Sequence, residues 1–110
     1  MKPYIAVDLD GTLAYYDKWR GAEHIGEPIP LMLARVRRWL AEGRCVKIFT
    51  ARASVPEHVP YVKAWLATHG LPNLEVTNIK DYGMVVLYDD RAIQVEVNTG
   101  RLIEIEKADK

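Results

Sequence analysis

Tyr4-Ile5-Ala6-Val7-Asp8-Leu9-Asp10-Gly11-Thr12 is the stretch from which the fold of this chain is read. The apolar run Tyr4 to Val7 stops abruptly at an acidic segment containing a glycine. That pattern predicts a short buried strand followed by a turn, with Gly11 allowing the chain to leave the strand direction at once.

Downstream, residues 14 to 28 are irregular, with aromatics at Tyr15, Tyr16 and Trp19 and breaks at Gly21, Gly26 and Pro28. A helix follows. Pro30 suits its first turn; Met32, Val36, Trp39 and Leu40 recur at helical spacing opposite Arg35, Arg37, Arg38 and Glu42; Gly43 ends it. Cys45 to Phe49 reads as a second strand, closed by Thr50-Ala51-Arg52. Ser54 and Glu57 stand at capping-box spacing, and Pro60 leaves the start of the next helix open. Its apolar stripe is Val62, Trp65 and Leu66, and Gly70 with Pro72 stops it. Val76 to Ile79 and Met84 to Tyr88 read as third and fourth strands, the latter running into Asp89-Asp90. Ala92 to Val97 and Arg101 to Ile105 flank Asn98-Thr99-Gly100 as a closing hairpin. Strands alternating with helices predict an α/β domain with a mostly parallel sheet and an antiparallel edge.

Composition narrows the classes. The 110 residues suit one domain, and 49% hydrophobic with 27% charged content is ordinary for a soluble globular chain. Fifteen basic and fifteen acidic residues cancel, which argues against a protein held to nucleic acid mainly by charge. No apolar run approaches the ~20 residues of a membrane span, so no membrane partner is expected. The N-terminal segment is too short in apolar character for a secretory signal. The single Cys45, in an apolar run, reads as a buried inert thiol and suits a reducing compartment, so the expected location is cytoplasmic.

In an open α/β sheet ligands bind beyond the carboxyl ends of the strands. Asp8 and Asp10 end the first strand, Thr50 the second, and Asp89 and Asp90 the fourth, with Lys80 in the segment leading to it. If the strands are parallel neighbours, these residues converge. Several carboxylates at one spot repel and call for a cation; oxygen donors with no clustered His or Cys favour Mg²⁺ over Zn²⁺. A carboxylate, a metal, a hydroxyl and a lysine together suit phosphoryl transfer.

The run from Tyr4 to Thr12 resembles the first motif of the haloacid dehalogenase-like superfamily, and Ile48-Phe49-Thr50, Lys80 and Leu87-Tyr88-Asp89-Asp90 resemble its second, third and fourth, in order. The resemblance implies Asp8 as nucleophile, Asp10 as acid/base, Thr50 as a phosphate-binding hydroxyl and Lys80 as the clamp on phosphate and nucleophile. It implies Mg²⁺ on the Asp8 carboxylate, the Asp10 carbonyl and one of Asp89 and Asp90, with Asp90 favoured because adjacent strand residues point opposite ways. The spacings leave no room for a cap domain. The expectation is therefore a single Rossmann-like three-layer domain over residues 1–110, with residues 13–28 as a flap and an open site. Its function is expected to be Mg²⁺-dependent hydrolysis of a phosphomonoester through an aspartyl-phosphate on Asp8. Thr50-Ala51-Arg52 and Asp89-Asp90-Arg91 are also similar to the phosphatase domain of polynucleotide kinase-phosphatases, which keeps three substrates open: a small metabolite, a nucleotide and a nucleic-acid end. A homo-oligomer that lids the site is compatible with all of them.

Other readings stand beside these. Arg52 is open between substrate contact and a surface ion pair, and Arg91 is expected to pair locally with a motif carboxylate. Tyr15, Tyr16 and Trp19 either pack the flap or stack on a base or sugar; His58 and His69 are expected to face solvent, and His24 is a lesser candidate for substrate contact. A phospho-acceptor receiver domain shares the acid, Thr and Lys inventory, but it needs its acceptor Asp at mid-chain before the Thr. Val46-Lys47-Ile48-Phe49-Thr50 has none.

Overall fold

Tyr4–Val7 forms the first strand, β1, and all of its side chains are buried. It is central in the sheet, hydrogen-bonded on one side to β2 (Val46–Phe49) and on the other to β4 (Met84–Tyr88), with β3 (Val76–Thr77) beyond β2. The computed structural model describes residues 2–103, and within them the sheet has four strands in the order β3-β2-β1-β4, every pairing parallel. A strand flanked on both edges and covered on both faces can afford no polar side chain, which is why β1 reads as an unbroken apolar run.

Helix α1 (Pro30–Ala41) joins β1 to β2, and α2 (Val59–Thr68) joins β2 to β3. The stripes anticipated from periodicity are the buried ones: Met32, Val36 and Trp39 on α1, and Val62, Trp65 and Leu66 on α2. Leu40 is half-buried. Pro30 occupies the first turn, where its missing N–H has no intrahelical partner to lose. Gly43, at φ +80, lies just past the end of α1, a backbone region that disfavours a Cβ.

Both helices belong to one core cluster with Ile5, Val7, Val46 and Ile48, residues that share a sheet face through the registers Ile5↔Val46 and Val7↔Ile48. The chain moves from β1 to β2 to β3 in one direction, and both helices pack into the one cluster on the face that carries Ile5, Val7, Val46 and Ile48, as crossovers of a single hand require. Among the described residues the helices therefore make one layer against the sheet, not the two that a three-layer domain requires. The opposite face is closed differently: the Tyr4 hydroxyl donates to Asp81 Oδ1 at 3.0 Å, and Lys47 Nζ lies 4.1 Å from the Tyr4 ring centre.

Other expectations change at the edges. β3 is shorter than residues 76–79. The anticipated closing hairpin is reduced to an isolated antiparallel bridge, Val95↔Leu102, with Asn98 at φ 64 in the turn; residues 104 and 105 of its second arm lie outside the described residues. No antiparallel strand joins the sheet among the described residues. The segment after Thr50 folds into two 3₁₀ turns, Ala51–Ser54 and Pro56–His58, before α2 begins with Pro60 in its first turn, so Ser54 and Glu57 do not cap a helix. Cys45 is half-buried, less enclosed than its apolar neighbours suggest. No helix among the described residues is long and apolar enough to cross a membrane.

Residues 13–28 form a loop whose base is closed by Tyr15 N–H donating to the Glu27 carbonyl at 2.8 Å and by an Ala14–Pro28 bridge. Trp65 Nε1 on α2 donates to the Gly26 carbonyl at 2.8 Å. A Cβ at Gly26 would fall 2.1 Å from the Tyr15 carbonyl oxygen, so only glycine allows this crossing.

Candidate functional site

Strand order reverses at β1: the chain steps to β2 and β3 on one side, then crosses to β4 on the other. Loops leaving the carboxyl ends of strands at such a reversal part and leave a crevice. A cavity of about 550 Å³ occupies this end of the sheet, and its walls include Asp8, Asp10, Thr50, Arg52, Asp89 and Asp90.

Asp8 is the first residue past β1, and its N–H still donates to the Tyr88 carbonyl of β4 at 2.9 Å. That bond sets the ends of β1 and β4 side by side. Asp8, Asp89 and Asp90 each bring a carboxylate oxygen to within 4.8 Å of the others. The alternation rule that set Asp89 against Asp90 does not apply, because β4 ends at Tyr88 and both carboxylates lie beyond the pleat. Asp89 Oδ1 also accepts the Arg91 N–H at 2.8 Å. This bond is the backbone's, and among the described residues the Arg91 side chain makes no ion pair with a motif carboxylate.

Thr12 stitches the cluster. Its hydroxyl lies 3.0 Å from Asp90 Oδ1 and 3.3 Å from Asp8 Oδ2, and it accepts the Asp90 N–H at 3.0 Å. One hydroxyl proton serves one acceptor at a time, and the shorter distance assigns it to Asp90. Gly11, at φ +91, backs the same carboxylate: a Cβ there would stand 2.6 Å from Asp90 Oδ2. Sequence reasoning passed over Thr12; its place two residues after Asp10, just past the turn glycine, was the available signal.

Crowding of this kind has an electrostatic consequence. The Asp8 carboxyl is pushed up from 3.8 to about 7, first by burial, then by its hydrogen bond with Asp90 and the negative charges of Asp89 and Asp90. Without a cation, folded Asp8 thus keeps its proton over a window in which the unfolded residue has lost it. The folded state binds more protons there, so this contribution to stability is full below about 3.8 and is lost as pH rises through about 7. In chelator, the thermal midpoint should carry this downward slope, and Asp8→Asn should flatten it. An unchanged slope in the variant would remove Asp8 from the account.

Asp10 faces elsewhere. Its two carboxylate oxygens receive Arg52 Nε at 2.8 Å and Nη2 at 3.0 Å, a forked ion pair. Arg52 is only 5% exposed, and its remaining donors reach the carbonyls of Ala22 and His24, each at 3.0 Å. Of the two readings open for Arg52, the geometry presents an ion pair, buried and internal where a surface one was considered. It ties Asp10 to the 13–28 loop. Trp19 lies on the guanidinium, 4.9 Å from Cζ to ring centre.

Thr50 is buried at the end of β2, and its hydroxyl oxygen accepts the Arg52 N–H at 3.1 Å, which leaves the hydroxyl proton available to donate. Lys80 is exposed and is not part of the cavity wall; Asn78, two residues earlier, is. Asp8, Asp10, Thr50, Arg52, Asp89 and Asp90 are therefore brought together and Lys80 is not. His58, expected to face solvent from a helix, lines the cavity from a 3₁₀ turn, its ring centre 5.8 Å from that of Trp19. Its place follows from the 3₁₀ turn that Pro56 opens ahead of α2.

Searches against protein-family models, curated proteins and solved structures found no match.

Proposed function

We propose that this chain is a phosphoryl-transfer enzyme. More narrowly, it is a phosphomonoester hydrolase that works through an aspartyl-phosphate on Asp8, as the haloacid dehalogenase-like motifs imply, built on a Rossmann-like α/β core. The observation carrying this reading is the grouping of Asp8 with Asp89 and Asp90 at one wall of a cavity whose other walls hold the Thr50 hydroxyl and the Asp10–Arg52 pair.

The donor set fits Mg²⁺: three carboxylates with no His or Cys, one of them pushed towards neutrality by burial and by the other two. Asp8, Asp89 and Asp90 would hold the ion, with the Asp10 carbonyl as a further donor. Once bound, Mg²⁺ supplies charge neutralisation for the carboxylates and for the transferred phosphoryl oxygens. The remaining chemistry belongs to the side chains. An Asp8 oxygen attacks phosphorus, the bond to the ester oxygen breaks, and that oxygen leaves with the bonding pair and a proton from Asp10. Water then attacks the phosphorus of the aspartyl-phosphate, giving its proton to Asp10 and restoring the Asp8 carboxylate. The sum is ester plus water to alcohol plus phosphate. The Thr50 hydroxyl donates to a phosphoryl oxygen. Lys80 keeps the role of phosphate clamp only if the 78–83 segment moves it inward.

Arg52 shapes the proton account. Both Asp10 oxygens are engaged by the Arg52 fork, which competes with delivery of a proton to the leaving oxygen, so esters of acidic alcohols, which need that proton least, should turn over fastest. The test is release of phosphate from p-nitrophenyl phosphate: activity with Mg²⁺, none after chelation, and recovery when Mg²⁺ is restored. Equal turnover in chelator would sink the metal assignment.

A further inference from the structure

The cavity wall is of two chemical kinds: beside the carboxylates it is lined by Trp19, Tyr16, Phe49, Val55 and His58. Trp19 is unusual among the three tryptophans: it is 52% exposed, whereas Trp39 is 4% and Trp65 is 8%. An exposed indole on an irregular loop would ordinarily be free to turn. This one is seated on Arg52, and Arg52 is itself fixed by the Asp10 fork and by the Ala22 and His24 carbonyls. The ring is therefore held between Arg52 and the nearby His58, and the residue still remains 52% exposed. Preorganised aromatic surface facing a cavity is what recognition of a flat ring requires, because the platform loses little freedom when the ligand arrives.

Size and charge select among flat-ringed ligands. A volume of about 550 Å³ lies within the range of small-molecule sites. A nucleic-acid strand would need a basic track for its backbone. Here the cavity wall carries four aspartates, and of its arginines Arg52 is already committed to Asp10 and the loop, leaving Arg91 alone. The site suits one terminal phosphate and repels a polyanion.

We propose that the substrate is a small phosphomonoester of mononucleotide size whose organic part carries a flat aromatic ring, and that this ring stacks on Trp19 beside Tyr16 while the phosphate reaches Asp8. The proposal rests on the phosphohydrolase reading for its reaction, and on the Trp19 platform for its specificity.

The test compares a nucleoside 5′-monophosphate with ribose 5-phosphate, which share a leaving oxygen and differ in the base. The wild type should favour the nucleotide about tenfold or more in kcat/KM, carried by KM, in line with the strength of base–aromatic stacking. Trp19→Leu should erase the preference, read as the ratio of the two kcat/KM values within the same variant, and Trp19→Phe should keep most of it. Phenyl phosphate separates the sources of an aromatic ring: a gain on Trp19 for it as well as for the nucleotide supports ring stacking as the shared chemistry. Equal kcat/KM for the two sugar phosphates, or an undiminished preference in Trp19→Leu, overturns the proposal. A second readout needs no turnover. Titration of the phosphate-free nucleoside should quench the fluorescence of the one exposed tryptophan, and Trp19→Leu should lose that response. Quenching without hydrolysis of any ester would uphold the platform and sink the hydrolase reading; hydrolysis with neither quenching nor ring preference would do the reverse.

Discussion

Asp8→Asn should reduce phosphomonoester turnover by about a thousandfold or more while raising the thermal midpoint of the metal-free protein above pH 7. The loss follows from chemistry: an amide of the same shape cannot supply the attacking oxygen, and removal of a nucleophile costs orders of magnitude because its partners cannot substitute for it. The gain follows from the same carboxylate cluster. Asp8 is half-buried against Asp89 and Asp90 and is pushed up to about 7, so above that pH its charge is held against repulsion and desolvation. An uncharged Asn removes both. Opposite movement of activity and stability marks a residue kept for chemistry at a cost to the fold. Parallel steady-state assays and thermal melts in chelator decide it. Full activity refutes the nucleophile, and a lower midpoint refutes the electrostatic account.

Arg52→Ala should destabilise the protein by about 3 kcal/mol, and Arg52→Lys should recover little of it. Breaking a buried pair from one side leaves the other charge without its partner, which costs about 3–5 kcal/mol. The lower end is taken because the Asp10 side chain retains 22% exposure. Lys offers a point charge where the site uses a planar fork with donors left over for Ala22 and His24. Total stabilities of small domains are about 5–15 kcal/mol, so such a loss is readily seen by urea unfolding. A change below about 0.5 kcal/mol, the range of ordinary surface substitutions, would mean that the pair is worth no more than a surface bridge. Turnover should fall as well, since Asp10 loses its orientation.

Why these residues were legible, and others not, has physical causes. β1 was readable to the residue because a fully buried parallel strand must be apolar throughout. β4, an edge strand with Val85 and Val86 exposed, was readable from its β-branched apolar run and its stop at Asp89. Both helix stripes were readable because each helix buries one face. Two layers stood where three were expected, since alternation of elements in sequence does not state which face a helix covers; crossover direction does, and it depends on strand order. The pairing of Asp10 with Arg52 joins positions 42 apart, and such contacts leave no local pattern. His58 was misplaced because it belongs to a separate 3₁₀ turn opened by Pro56, and α2 starts only at Val59. The flanking of one cavity by Asp8, Thr50, Asp89 and Asp90 needed only parallel order and strand ends, both of which the motif positions already contained.

The position of β1 has one more consequence. Its amides are bonded on both sides, with Ile5 N–H to Cys45 and Asp8 N–H to Tyr88, each at 2.9 Å. Local openings of a protein begin at segments held by few buried contacts and reach doubly paired central strands last. The amides of β1, and that of Asp8 just beyond it, should therefore be among the slowest in the molecule to exchange with solvent, so that the candidate nucleophile keeps its place through local openings elsewhere.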